Sequence, residues 1–131
     1  MLFVWTASSG WAATALLCAG IAIPYFVRST RAAERSIRAR LRPHYWIGIL
    51  VPAVSFVHAW LPMATGRMRG LDPTGLALAT MALLTMLGQV ALGVSLRQST
   101  GLVHRTTKRV HFWTMVALAS LILAHILLNR V

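Results

Sequence analysis

Four apolar runs, at about residues 5–27, 44–63, 74–96 and 110–129, occupy most of the 131-residue chain and constrain it more than any motif does. Each is long enough to cross a hydrocarbon core about 30 Å thick as a helix of roughly 20 residues. None alternates with period two, and a membrane barrel needs more strands than four short runs supply. The expected fold class is therefore all-α, a single membrane-embedded domain arranged as an up-down-up-down four-helix bundle. Composition points the same way, with 57% apolar and 11% charged residues, whereas a soluble domain carries roughly 25% charged residues.

The basic residues sit between the runs. Arg28, Arg31, Arg35, Arg38, Arg40 and Arg42 fall in the first connection, and Arg97, Arg105, Lys108 and Arg109 in the third, so ten of the 13 Lys and Arg residues share one side. Arg67 and Arg69 in the second connection and Arg130 at the C-terminus make up the rest. Cytoplasmic loops are enriched in Lys and Arg, which places connections one and three inside and both termini outside, as expected in a bacterial inner (plasma) membrane. The first run lacks the basic segment of a secretory signal and is too long for its apolar region, so it is expected to remain as an anchor. Pro24 and Pro52 fall inside spans, where each frees a carbonyl that a neighbour must satisfy. The five tryptophans cluster near span ends, as interfacial anchors do.

Few catalytic chemistries are open to these residues. One cysteine, Cys18, supports neither a disulfide nor an iron–sulfur site, and two acids, Glu34 and Asp72, leave no basis for a paired-carboxylate mechanism. No phosphate loop, nucleophile elbow, zinc-protease helix or dinucleotide fingerprint occurs. The arginine-rich first connection lies against the bilayer, so lipid or a partner subunit suits it better than nucleic acid.

Ionisable groups within a span are costly and mark function by default. His44 and His58 stand fourteen positions apart in the second run, and His111 and His125 repeat that offset in the fourth. Fourteen helical steps fall roughly 40° short of four full turns and advance about 21 Å, so each pair shares a face at two depths. In an up-down-up-down bundle the second and fourth helices run in the same direction, setting His44 level with His111 and His58 level with His125. Two imidazoles facing across a bundle core suit the axial positions of a haem iron. A tetrahedral zinc site would need four ligands close together. With no C-x-x-C-H segment, the haem would be held without thioether links, as b-type.

The doubled spacing, His44-Tyr45…Val57-His58 and His111-Phe112…Ala124-His125, resembles the di-haem core of the cytochrome b family and is similar to the ferric reductase-like transmembrane family. The likeness spans the four-helix core, nearly the whole chain. It implies a bundle holding two haem b groups, with His44 and His111 as iron ligands near the cytoplasmic side and His58 and His125 near the outer side. The chain departs from larger relatives of that kind in lacking further helices, a quinone-pocket motif, and flavin or nicotinamide domains.

Several residues fit around such a core. Gly48 follows His44 by one turn, while Gly10 and Gly75 fall near the outer level and Gly20, Gly88 and Gly93 nearer the inner one, where small residues let a macrocycle or another helix approach. Arg42, Lys108 and Arg109 inside, and Arg67, Arg69 or Arg130 outside, are cations suited to haem propionates. His104 precedes His111 by about two helical turns and would share its face, within reach of a propionate or a quinone, if the fourth helix began early; a solvated loop histidine is the expected reading.

The function expected from this pattern is transmembrane electron transfer by a di-haem b-type cytochrome. The chain would act as the membrane subunit of a larger redox complex, linking a quinone pool or soluble donor to a partner subunit. A self-contained quinol-dependent or ferric reductase, and a non-redox assembly or transport subunit, are the alternatives that the residues leave open.

Overall fold

The computed structural model describes residues 2–29, 39–64 and 72–128, with side chains from residue 5 onward in the first segment. Among the described residues lie four long helices: α1 (Leu2–Ser29), α2 (Arg42–Ala64), α3 (Pro73–Gln98) and α4 (Gly101–Leu128). All four are long and apolar enough to cross a membrane. In hydrocarbon every backbone N–H and C=O needs an internal partner, and the helix supplies one within the segment. Hydroxyl groups in the spans are satisfied in the same way, Thr14 donating to the Gly10 carbonyl, Thr80 to Leu76 and Ser120 to Val116.

Sequence chemistry sets the ends of α3 sharply. Asp72 is its N-cap, its Oδ2 accepting from the Gly75 N–H at 3.0 Å, and Pro73 occupies the first helical position, where no N–H is needed. At the far end the Ser99 N–H closes onto the Ser95 carbonyl at 2.9 Å. Gly101, with φ of +61°, then starts α4 after only Ser99 and Thr100. A side chain at that backbone conformation would be strained, which is why glycine stands there.

The fourth helix therefore differs from the sequence expectation. The apolar run begins near residue 110, but α4 begins at Gly101, placing Arg105, Lys108 and Arg109 on helix instead of loop, with Arg97 in the last turn of α3. Hydropathy falls at residue 109, whereas helix propagation needs only continuous backbone pairing, and Arg and Lys are good helix formers. Arg31, Arg35, Arg38, Arg67, Arg69 and Arg130, which also carried the orientation argument, lie outside the described residues, as do Glu34 and Asn129.

Two compact units divide the chain, Met1–Pro62 and Met63–Val131. The first holds α1 and nearly all of α2, the second α3 and α4, and each is an antiparallel helical hairpin. In the first, the start of α2 meets the later part of α1 (His44 with Gly20) and the end of α2 meets its beginning (His58 with Thr6). In the second, His125 near the end of α4 meets Gly75 at the start of α3.

The buried apolar side chains among the described residues are only Val51 in the first unit and Ala82, Met86 and Leu118 in the second, of which Leu118 is fully buried. All five tryptophans are more than half exposed, from 55% for Trp60 to 67% for Trp46, and Phe26, Leu84 and Leu102 are more exposed than half as well. Surfaces this apolar associate in water, while lipid chains cover them without penalty. The four helices are consistent with an integral membrane protein.

Candidate histidine sites

In the first hairpin His44 sits in the opening turn of α2 and donates its Nδ1–H to the Gly20 carbonyl of α1 at 2.8 Å. His58, about four turns on, donates its Nδ1–H to the Thr6 carbonyl at 2.9 Å. The acceptors Thr6 and Gly20 are offset along α1 by the same interval as the donors along α2, so two antiparallel helices in matched register bring both pairs level. Ser9 braces the His58 contact, its hydroxyl donating to the same Thr6 carbonyl at 2.9 Å and lying 3.3 Å from His58 Nδ1.

Glycine is required beside His58. A Cβ at Gly10 would stand 2.9 Å from Cε1 of the imidazole, closer than real contacts allow, and 3.2 Å from Nδ1, tighter than most. At Gly20 a Cβ would come within 3.2 Å of Ile47 Cγ2, so close helix approach matters there too. Gly48 and Gly88 differ, since each faces open space.

The second hairpin repeats part of this scheme. His125 Nδ1–H donates to the Gly75 carbonyl at 3.1 Å, and Asp72 holds the N–H of that same glycine. His111 lies on the shared face of α4, its Cε1 3.8 Å from where a Cβ on Gly93 would stand, an ordinary contact. Here the helix is fastened through backbone and amide: Gln89 Nε2 donates to the His111 carbonyl at 2.9 Å, and Thr114 Oγ1 donates to Gln89 Oε1 at 2.6 Å. Gly75 and Gln89 are separated along α3 by the interval that separates Thr6 from Gly20 along α1.

All four histidines are half-buried. A carbonyl oxygen only accepts, so each Nδ1 bonded to one must carry the proton, and in the neutral ring the lone pair is then on Nε2. Three of the four rings are thus oriented in the way metal-ligating histidines are held, with the remote nitrogen fixed by a backbone acceptor. Among the described residues no three His, Cys, Asp or Glu side chains converge as a multidentate metal cluster. Axial ligation of a haem iron asks for two imidazoles per iron and no such cluster.

His104 is not the solvated loop histidine expected from the sequence: α4 starts at Gly101, which puts it on helix, half-buried with Nδ1 3.4 Å from Ser99 Oγ. Thr6, Ser9, Gln89 and Thr114 were not singled out by sequence reasoning. The available signal was Gln89, an amide standing between apolar stretches of α3 at the repeated interval from Gly75. Comparison of the chain with family models, with curated proteins and with solved structures finds no match among them.

The Gln89 clamp makes a direct prediction. Gln89→Leu and Thr114→Val should each loosen α3 from α4, and their double mutant should show a coupling of about 0.6 kcal/mol, with ~1.7 as the upper end for interhelical hydrogen bonds in membranes. Unfolding by SDS titration from mixed micelles measures it. Strict additivity of the two losses would mean that the 2.6 Å contact contributes nothing.

Proposed function

We propose that the chain is a di-haem b-type cytochrome that carries electrons across a membrane, as the membrane subunit of a larger redox complex joining a quinone pool or soluble donor to a partner subunit. The observation that carries this reading is the repeated tethering of imidazole Nδ1–H groups to backbone carbonyls, found in both hairpins on histidines that share one spacing. A histidine that merely satisfies itself inside a membrane needs a partner at one depth. Repetition at two depths, with the space beside His58 kept open by Gly10, supports a ligand role instead.

In this reading His44 and His111 form the ligand pair nearer the cytoplasm and His58 and His125 the outer pair, the assignment that the likeness to the cytochrome b family implies. The haem iron supplies one-electron exchange between ferric and ferrous states. His44, His58 and His125 present Nε2 lone pairs in fixed orientation, held by backbone contacts that carry no titrating side chain. Lipid-facing apolar side chains surround them with a medium of low dielectric. Arg42, Lys108 and Arg109 bring positive charge to the cytoplasmic level, where propionates would be balanced.

Purification of the full-length chain from haem-replete cells tests the proposal. The reduced-minus-oxidised visible spectrum and pyridine haemochrome assay should report about two low-spin haems b per chain. A colourless preparation with full helical content would overturn it. Subunits recovered with the chain in mild detergent would identify the electron donor and acceptor.

A further inference from the structure

Gly20 is the acceptor for His44, and Pro24 stands one helical turn beyond it inside α1. In a regular α-helix the carbonyl of residue 20 is claimed by the N–H of residue 24, and proline has none. The other two acceptors differ in this respect. Thr6 is followed by Gly10 and Gly75 by Ala79, both with backbone N–H groups, and the Thr6 carbonyl takes the Ser9 hydroxyl besides. The His44 contact is also the shortest of the three, at 2.8 Å against 2.9 and 3.1 Å.

We infer that Pro24 is a positioning residue for His44: by withholding the helical N–H from the Gly20 carbonyl, it reserves that carbonyl for the His44 Nδ1–H. The proline and the histidine thus solve each other's problem. The carbonyl that Pro24 strands in hydrocarbon is satisfied by the imidazole, and the imidazole receives an acceptor without competition. A stronger bond at Nδ1 places more electron density at Nε2, which makes the ring a better donor to a metal. The consequence for a bound iron rests on the function proposed above. There, His44 would favour the ferric state and hold the potential of its haem down, whereas the tautomer of the ring is a property of the protein alone.

The test compares Pro24→Ala with Pro52→Ala, which removes a proline from the other helix of the hairpin, where the freed carbonyl is that of Gly48. Both variants are made in the full-length chain, labelled with 15N-histidine and studied in micelles after expression under haem limitation, with His44 assigned through His44→Gln. In the Pro24→Ala chain the restored N–H competes for Gly20, and the share of the Nε2–H tautomer of His44 should rise roughly threefold. Pro52→Ala should leave it unchanged. In haem-loaded protein, Pro24→Ala should raise one midpoint potential, up to a tenfold change in ferric-to-ferrous ratio or ~59 mV for one electron, and leave the other in place. An unaltered His44 tautomer in Pro24→Ala, or an equal change in Pro52→Ala, overturns the inference. A tautomer change with both midpoints unmoved overturns its redox consequence. A tautomer change in a chain that takes up no haem upholds the role of Pro24 and overturns the proposed function.

Discussion

For the di-haem cytochrome proposed above, His58→Ala is expected to leave the chain with one low-spin haem in place of two. The His58 ring is fixed by Thr6, braced by Ser9 and flanked by Gly10, and no other imidazole of its hairpin stands at that depth. His44 lies about 21 Å away along the helix axis, far beyond the distance at which substitutions usually couple. The proposed His44 and His111 site should therefore keep its iron, its absorption and its midpoint potential. Haemochrome stoichiometry together with electron paramagnetic resonance resolves the two irons. Loss of both haems with helical content intact would show that the depths are not independent, and retention of both would remove His58 from the ligand set.

Gly10→Ala reaches the same residue from the opposite helix, and the expected result is a similar loss of the proposed His58-ligated haem with His58 still present. One methyl group at residue 10 would lie 2.9 Å from Cε1 and 3.2 Å from Nδ1, so the imidazole must swing or the helices must part. Either movement breaks the 2.9 Å bond to Thr6 that orients the ring. Overpacking of this kind costs about 1–3 kcal/mol, and if that strain falls on the ring, retention of the outer haem should weaken at least roughly tenfold. Gly93→Ala is the matched control, since its methyl group would meet His111 at 3.8 Å, an ordinary contact. Haem retention during gel filtration in detergent, scored by the ratio of Soret to protein absorbance, separates the two. Equal retention in both variants would mean that the space beside His58 is immaterial.

Much of the fold was legible because hydrophobic length is a blunt signal. The apolar runs located α1, α2 and α3 within a few residues at each end, and Asp72 followed by Pro73 carries the start of α3 in its own chemistry. The early start of α4 was hidden, since residues 101–109 are polar enough to read as loop while forming helix readily. At the sites, the shared spacing alone placed His44 with His58, and His111 with His125, on common helix faces. Their acceptors were not legible, because every residue carries a carbonyl and only antiparallel register selects Thr6, Gly20 and Gly75. Pro24 announced that one carbonyl would be stranded, but which side chain would reach it depends on how α2 lies along α1.

Main-chain acceptors also change how genetic variation at these positions should be read. A substitution at Thr6 leaves its peptide oxygen in place, so a saturation screen should record sharp intolerance at His58 opposite a partner whose side-chain identity matters far less. Covariation, which needs both members of a contact to be free to change, would be blind to these tethers. A lineage could thus change the acceptor side chain at Thr6 while keeping its imidazole anchored.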